Sequence, residues 1–302
     1  MDYLTNKVND RRFSDGFLLK IKKATSVIKC FLKKQMVKDI HKTAIIDSSV
    51  KIAENVKIGP YCVITGNVSI GEGTILKSNV IISGEHGRVE IGKNNQIYPF
   101  ATIGSEPQDD KFHNDESNVK IGDNNIIREY VSINGGSDVG NTIAGTKNLT
   151  YIGNNCWLYI SSHIAHDVYV EDRCTITNYA GIAGHSKIGH DTIIGGLSGI
   201  HQFVNIGHNV MIGGACGVGQ DIPPYAIVMK VPEKVYGPNI VGMKRKNISI
   251  RDIKAVDIFY KDYTDGSQKL SDVIEKYANS NNEYVKDIVA FLKRESKRGF
   301  NR

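Results

Sequence analysis

An aliphatic residue recurs at every sixth position along most of this chain. From Ile152 the series runs through Leu158, Ile164, Val170, Ile176, Ile182, Ile188, Ile194, Ile200, Ile206 and Ile212 to Val218, twelve in succession. A helix repeats every 3.6 residues and a half-buried strand every two, so neither gives this spacing. A second register lies two residues earlier and holds small or β-branched side chains, among them Ser162, Val168, Cys174, Ala180, Val204 and Cys216. Two inward positions per six residues, with Gly- or Asn-rich turns between, is the signature of a parallel β-helix. Three hexads close one triangular coil of 18 residues, and coils stack at the strand spacing of ~4.8 Å. Each aliphatic is buried only against the coils above and below, so many repeats are needed.

The same register runs from Ile46 to Ile82, slips at Gly84–Arg88, and resumes at Ile91, Ile97 and Ile103. It returns at Ile121, Ile127 and Ile133, between polar loops over 104–118 and 134–149. The pattern stops at Pro223-Pro224, which sets a β-helix over 39–225. Beyond it, apolar residues at i, i+3 and i+4 predict helices over 249–263, capped by Ser249, and over 269–298. The fold class is therefore mainly β, a hexapeptide β-helix followed by a small α-helical domain over 226–302.

Residues 1–38 carry ten Lys or Arg against three Asp, a charge of +7 that leaves −1 for the rest of a chain totalling +6. The basic balance belongs to this segment and does not mark the main domain as a nucleic-acid binder. Its apolar residues Phe17, Leu18, Ile21, Val27, Ile28, Phe31 and Leu32 have helical spacing. Three readings compete for this basic amphipathic extension: a targeting segment, a membrane-surface contact, or an extension from an early start codon, the last favoured because Met36 precedes the repeats. No apolar run reaches the ~18 residues of a membrane span. Four of the five Cys (Cys62, Cys156, Cys174, Cys216) share the small inward register and read as core fillers in a reducing compartment.

The unbroken register also places side chains. Residues 18 apart stack on one face, so His166, Gly184 and Gln202 form one column. His185 and His201 lie in the columns beside it, while His190 and His208 share a column on another face. None of these His falls at an inward position. Three imidazoles on one outer edge, with a Gly and a Gln between, exceed what a solvated surface needs. An outer edge becomes a cleft only when another subunit covers it, which predicts an oligomer with sites between chains. An unperturbed imidazole titrates near ~6.5, close to what a general base needs at neutral pH. Asp167 can fix its tautomer, and Gly184 lets a backbone N–H approach a developing oxyanion. Ser162 and Cys174 point inward, which favours direct attack over a covalent intermediate.

His163-Ile164-Ala165-His166-Asp167, Ala183-Gly184-His185, His201-Gln202-Phe203, Gly213-Gly214 and Asn239-Ile240-Val241-Gly242-Met243-Lys244-Arg245 closely resemble the UDP-N-acetylglucosamine O-acyltransferase family of lipid A biosynthesis. The resemblance spans roughly residues 40 to 300. It implies a left-handed β-helix, a cytoplasmic homotrimer without metal or cofactor, and no stable membrane insertion. The implied reaction moves an (R)-3-hydroxyacyl group from acyl carrier protein to the 3-hydroxyl of the UDP-sugar. His166 would be the base, Asp167 its orienting partner and Gly184 the oxyanion donor. His163, His185, His201 and Gln202 would contact substrate, as would Gln108, Asp109 and Lys111 from the 104–118 loop. Asn239, Arg245 and Lys246 match nucleotide-binding positions, and Gly214 the position that sets acyl-chain reach, where a Gly suggests a long chain.

Val241, Lys246 and Met229-Lys230-Val231 depart from the family's usual Glu, Arg and Gln-Gly-Asn. They leave open whether the acceptor carries a 3-hydroxyl or a 3-amine. Other readings are a different hexapeptide acyltransferase, a γ-type carbonic anhydrase and a non-catalytic scaffold. Against the carbonic anhydrase, Glu171 stands five residues after His166 where that pattern wants His. Lys286, Lys293, Arg294, Lys297 and Arg298 fit either an acidic carrier protein or a solvated face.

Overall fold

A computed structural model describes residues 39–113, 115–137, 148–229 and 234–302. The basic extension over 1–38 lies outside the described residues, as does most of the second loop. From Asp39 the chain winds as a parallel β-helix. On one face ten parallel strands stack, from Asp39–Ile40 through Trp157–Leu158 to Ala226–Met229. The other two faces join into one sheet, because the long strands Val63–Ile70 and Ile81–Ile91 run around a corner. The slip at 84–88 is a bulge there: Gly66 pairs with Gly84, but Asn67 pairs with Arg88.

The pairing confirms the 18-residue coil. Tyr151 stacks on Tyr169, Tyr169 on Lys187 and Lys187 on Asn205, each 18 apart. Every aliphatic of the unbroken series is at most 2% exposed, and all four described Cys are buried with free thiols. The corners follow the same beat. From Ile152 to Ile212, the third residue after each aliphatic has a positive φ: Asn155, Ser161, Asp167, Arg173, Tyr179, His185, Asp191, Leu197, Phe203, Asn209 and Ala215. A left-handed conformation costs a non-Gly residue roughly 1–2 kcal/mol. Here the aliphatic and small residues on either side, both locked in the core, fix it.

Two expectations about the carboxy-terminal part need correction. The β-helix does not end at Pro223-Pro224: Met211 and Ile212 pair in parallel with Ile227 and Val228, and Lys234–Pro238 then adds an antiparallel edge. The two Pro residues occupy a corner, where no ladder hydrogen bond is needed. The helix expected over 269–298 is two helices. Four helices follow the β-helix: α1 (Ile240–Arg245), α2 (Ile250–Thr264), α3 (Leu270–Tyr277) and α4 (Glu283–Leu292). Asn282 breaks the apolar spacing by capping α4, its side chain accepting from the N–H of Tyr284 and Val285. Ser249 caps α2 as expected, accepting from Asp252 N–H at 3.1 Å. Buried Phe259, Tyr260 and Tyr263 form the small domain's core, and Tyr260 donates its hydroxyl to the Pro224 carbonyl at 2.5 Å. That bond ties the helices to the last coil.

Candidate active site

The corner after strand His163–Ile164 gathers most of the expected residues. His166 precedes the left-handed corner residue Asp167. One coil on, Gly184 and His185 occupy the same two places, and one further, Gln202 and Phe203. Gly184 lies against the His166 ring: a Cβ there would sit 2.6 Å from Cε1 and Nε2. Among the described residues, the Gly184 N–H meets no acceptor.

His166 Nδ1 donates to Asp167 Oδ2 at 2.9 Å, and the Asp167 side chain is completely buried. This commits Nδ1 and leaves Nε2 to exchange a proton. Asp109 approaches Nε2 from the 104–118 loop at 3.9 Å, too far for a hydrogen bond. The backbone N–H of Lys111 holds the Asp109 carboxyl below its usual range. His185 stacks flat on Phe203, centroids 4.7 Å apart, and meets the His166 ring edge-on at 5.0 Å. Burial pushes the His185 imidazole down against the pull of Asp167, and burial likewise pushes down His163, which hydrogen-bonds Ser132 Oγ at 2.7 Å. Burial thus favours the neutral form of both imidazoles that flank His166.

The expectation that these His form an open edge waiting for a neighbour is only half right. His166 is 8% exposed and His185 3%, and the cover comes from their own chain: Ser137, the loop bearing Asp109, and Phe203. His201 and Gln202 do remain exposed, as do Gln108 and Lys111. His166, Asp167 and His185 also have donor atoms within 4.8 Å of one another. A tetrahedral zinc needs every donor about 2.0–2.2 Å from one point. Here Asp167 Oδ2 is spent on a hydrogen bond to His166 Nδ1. His190, the ligand a carbonic anhydrase pattern would use, stacks on His208 at another corner, 4.5 Å away.

The remaining expected residues lie on other corners. Gly214 follows strand Met211–Ile212, and a Cβ on it would meet the Gly196 carbonyl at 3.2 Å. Asn239 is buried; its side chain accepts from Gly242 N–H and donates to the Asn209 carbonyl at 3.0 Å. It caps α1 and pins it to the β-helix, with both its amide oxygen and its amide nitrogen engaged. Arg245 is exposed at the end of α1. Lys246 pairs with Asp191, which also takes both arms of Arg173 at 2.8 Å and His190 at 2.8 Å. Burial would raise the Asp191 carboxyl, but Arg173, Lys246 and His190 together hold it well below the usual range. Its stabilising effect is full above the unfolded pKa of ~3.9 and is lost as pH falls through the lower folded value. Because Arg173 and Lys246 are half exposed, Asp191→Ala is expected to cost only about 1 kcal/mol. A urea midpoint at pH 7 reads this, and the difference from wild type should shrink in acid.

Two family models match this chain: one described as UDP N-acetylglucosamine O-acyltransferase, domain 2, over 221–301, and the bacterial transferase hexapeptide over 49–84 and 149–184. The acyl-[acyl-carrier-protein]–UDP-N-acetylglucosamine O-acyltransferase of Thermodesulfovibrio yellowstonii is 43% identical over 238 residues, 79% of this chain and 89% of the relative. The chain belongs to this family. Solved structures agree. The UDP-N-acetylglucosamine acyltransferase of Francisella novicida gives a TM-score of 0.80 at 36% identity, over 87% of this chain and 94% of that one. The Arabidopsis enzyme gives 0.74 at 27% identity, over 87% and 100%. The chain is thus an acyltransferase built on the left-handed hexapeptide β-helix that the resemblance implied. Among the described residues, no helix is long and apolar enough to cross a membrane.

Proposed function

We propose that His166 is the general base with which this acyltransferase moves an (R)-3-hydroxyacyl group from acyl carrier protein to the 3-hydroxyl of UDP-N-acetylglucosamine, the opening step of lipid A synthesis. The observation that carries the reading is the His166 ring lying on Gly184 with Nδ1 committed to buried Asp167. Nε2 takes the hydroxyl proton as the sugar oxygen attacks the thioester carbonyl. The Gly184 N–H stabilises the oxyanion. Collapse breaks the C–S bond, and the imidazolium returns the proton to the departing thiolate. Among the described residues, no hydroxyl or thiol hydrogen-bonds His166 Nε2. Ser162 and Cys174 are buried inward, and Ser137 sits on the Nδ1 side of the ring with its hydroxyl engaged by Asp167.

In this reading His163, His185, His201, Gln202, Gln108, Asp109 and Lys111 shape the substrate site, and Gly214 limits acyl reach. Arg245 and Lys246 grip the diphosphate, while Asn239 acts by holding α1 in place. The catalytic corner, the Gly214 corner and the Asp191–Lys246 corner run along the three different edges of the β-helix. One chain cannot bring all three to one substrate, which supports a homotrimer with sites shared between copies. A column of exposed corner residues (Tyr61, Phe100, Tyr130, Tyr179 and Leu197, the last 70% exposed) offers a surface for the neighbour. The test is acyl transfer from carrier proteins bearing hydroxyacyl chains of several lengths to UDP-N-acetylglucosamine and to its 3-amino analogue. Turnover with UDP-N-acetylglucosamine is expected. Turnover with the amine alone reassigns the acceptor, and none with either overturns the proposal.

A further inference from the structure

The start of the second polar loop brings Ser137 to the catalytic corner from outside the 18-residue columns. Ser137 is fully buried. Its N–H donates to Asp167 Oδ2 at 3.0 Å and its hydroxyl donates to the same oxygen at 2.9 Å. That oxygen also takes the His166 Nδ1–H, so three donors converge on it, while Oδ1 is buried without a partner. Behind them, the Asp167 N–H donates to Thr150 Oγ1 at 2.9 Å. The approach of Ser137 depends on the two residues before it. A Cβ on Gly135 would collide with Ser117 Oγ, and one on Gly136 with the backbone of Asn148 and Leu149. The Gly-Gly-Ser turn is therefore fitted to bring a hydroxyl and an amide onto this carboxylate.

We propose that Ser137 is a positioning residue for acyl transfer, holding Asp167 in the rotamer that serves His166 and drawing part of its charge away from the imidazole. This rests on His166 being the base. A completely buried carboxylate with one donor fewer would swing toward other partners, and His166 would lose its fixed orientation. What charge stayed on Oδ2 would fall more fully on the imidazole and favour its protonated, inactive form. The other groups facing His166 are Asp109, His163 and His185. No hydrogen bond joins Ser137 to any of the three, and His185 Nδ1 lies 3.8 Å from the same Oδ2, so the change reaches them only through Asp167.

The experiment measures kcat and KM across pH for wild type, Ser137→Ala, Asp167→Asn and the double variant, with thermal midpoints for each. The Ser137 amide survives in the alanine variant, so Asp167 keeps one of the two bonds. Losing the hydroxyl bond to a charged group is expected to lower kcat roughly 10- to 100-fold. KM should stay within about twofold, since the substrate is not touched. The acid limb of the kcat/KM profile should move to higher pH. In the Asp167→Asn background, Ser137→Ala should add less than about twofold, because both act through one carboxylate. Ser137→Cys, near in shape but a weak donor, should show the same limb displacement in part. An acid limb that stays in place, or a full loss repeated in the Asp167→Asn background, would overturn the inference. His166→Ala separates the two readings. If that variant is inactive while Ser137→Ala behaves as wild type, only the role of Ser137 falls. If it turns over normally, the base itself is wrong.

Discussion

His166→Ala is expected to lower kcat by at least ~10²–10⁴-fold, the usual contribution of a positioned base. The change removes Nε2 and also the Nδ1 donor to Asp167. Asp167 keeps both donors from Ser137, so the buried carboxylate is not orphaned and the fold should persist. The aliphatic ladder makes no use of the imidazole, which lies outside the core on a corner. Loss of turnover without loss of secondary structure is therefore the expected pair of results, read by acyl-transfer kinetics beside circular dichroism. Turnover within a few-fold of wild type would show that some other group takes the proton.

Gly184→Ala should be nearly as damaging, by a different route. The added methyl would sit 2.6 Å from Cε1 and Nε2, a distance no real contact tolerates, so the ring has to move. Gly184 does not have a positive φ, so the backbone accepts Ala without strain and the N–H stays in place. What changes is where Nε2 points. A displacement of about 1 Å in a reacting group costs on the order of 10²-fold. The prediction is a kcat reduced by roughly that factor with an unchanged thermal midpoint. A wild-type kcat would mean that the ring can shift without penalty, and that the column does not position the base.

The placement of Gly184 beneath His166 is legible in the amino-acid sequence, because both lie inside the unbroken register and counting by 18 is enough. Phe203 is legible by the same count, as it shares the column of Asp167 and His185, but an aromatic next to a Gln carries no chemical signal of its own. Ser137 and Asp109 are not legible as neighbours of His166. Each sits on a loop that interrupts the hexads, and once the count is broken, sequence distance no longer maps to position. The two carboxy-terminal helices over 269–298 read as one because Val273, Ile274 and Tyr277 continue in phase to Val285, Ile288 and Val289. Only the run Asn279-Ser280-Asn281-Asn282, rich in cap formers, marks the break. Likewise, two prolines look like an end because they cannot donate to a ladder, and a corner makes no such demand.

The three-hexad coil restricts how this protein can change in length. Removing or adding 18 residues within the ladder shortens or lengthens the column and leaves every later residue facing the same way. Removing six turns everything downstream by a third of a revolution, which would carry His185 and Gly184 to a different side from His166 while keeping each aliphatic inward. Such a deletion preserves the core pattern and scrambles the surface. Length variation that preserves activity in this enzyme should therefore come in whole turns, or be confined to the corner loops, where extra residues leave the angular phase untouched.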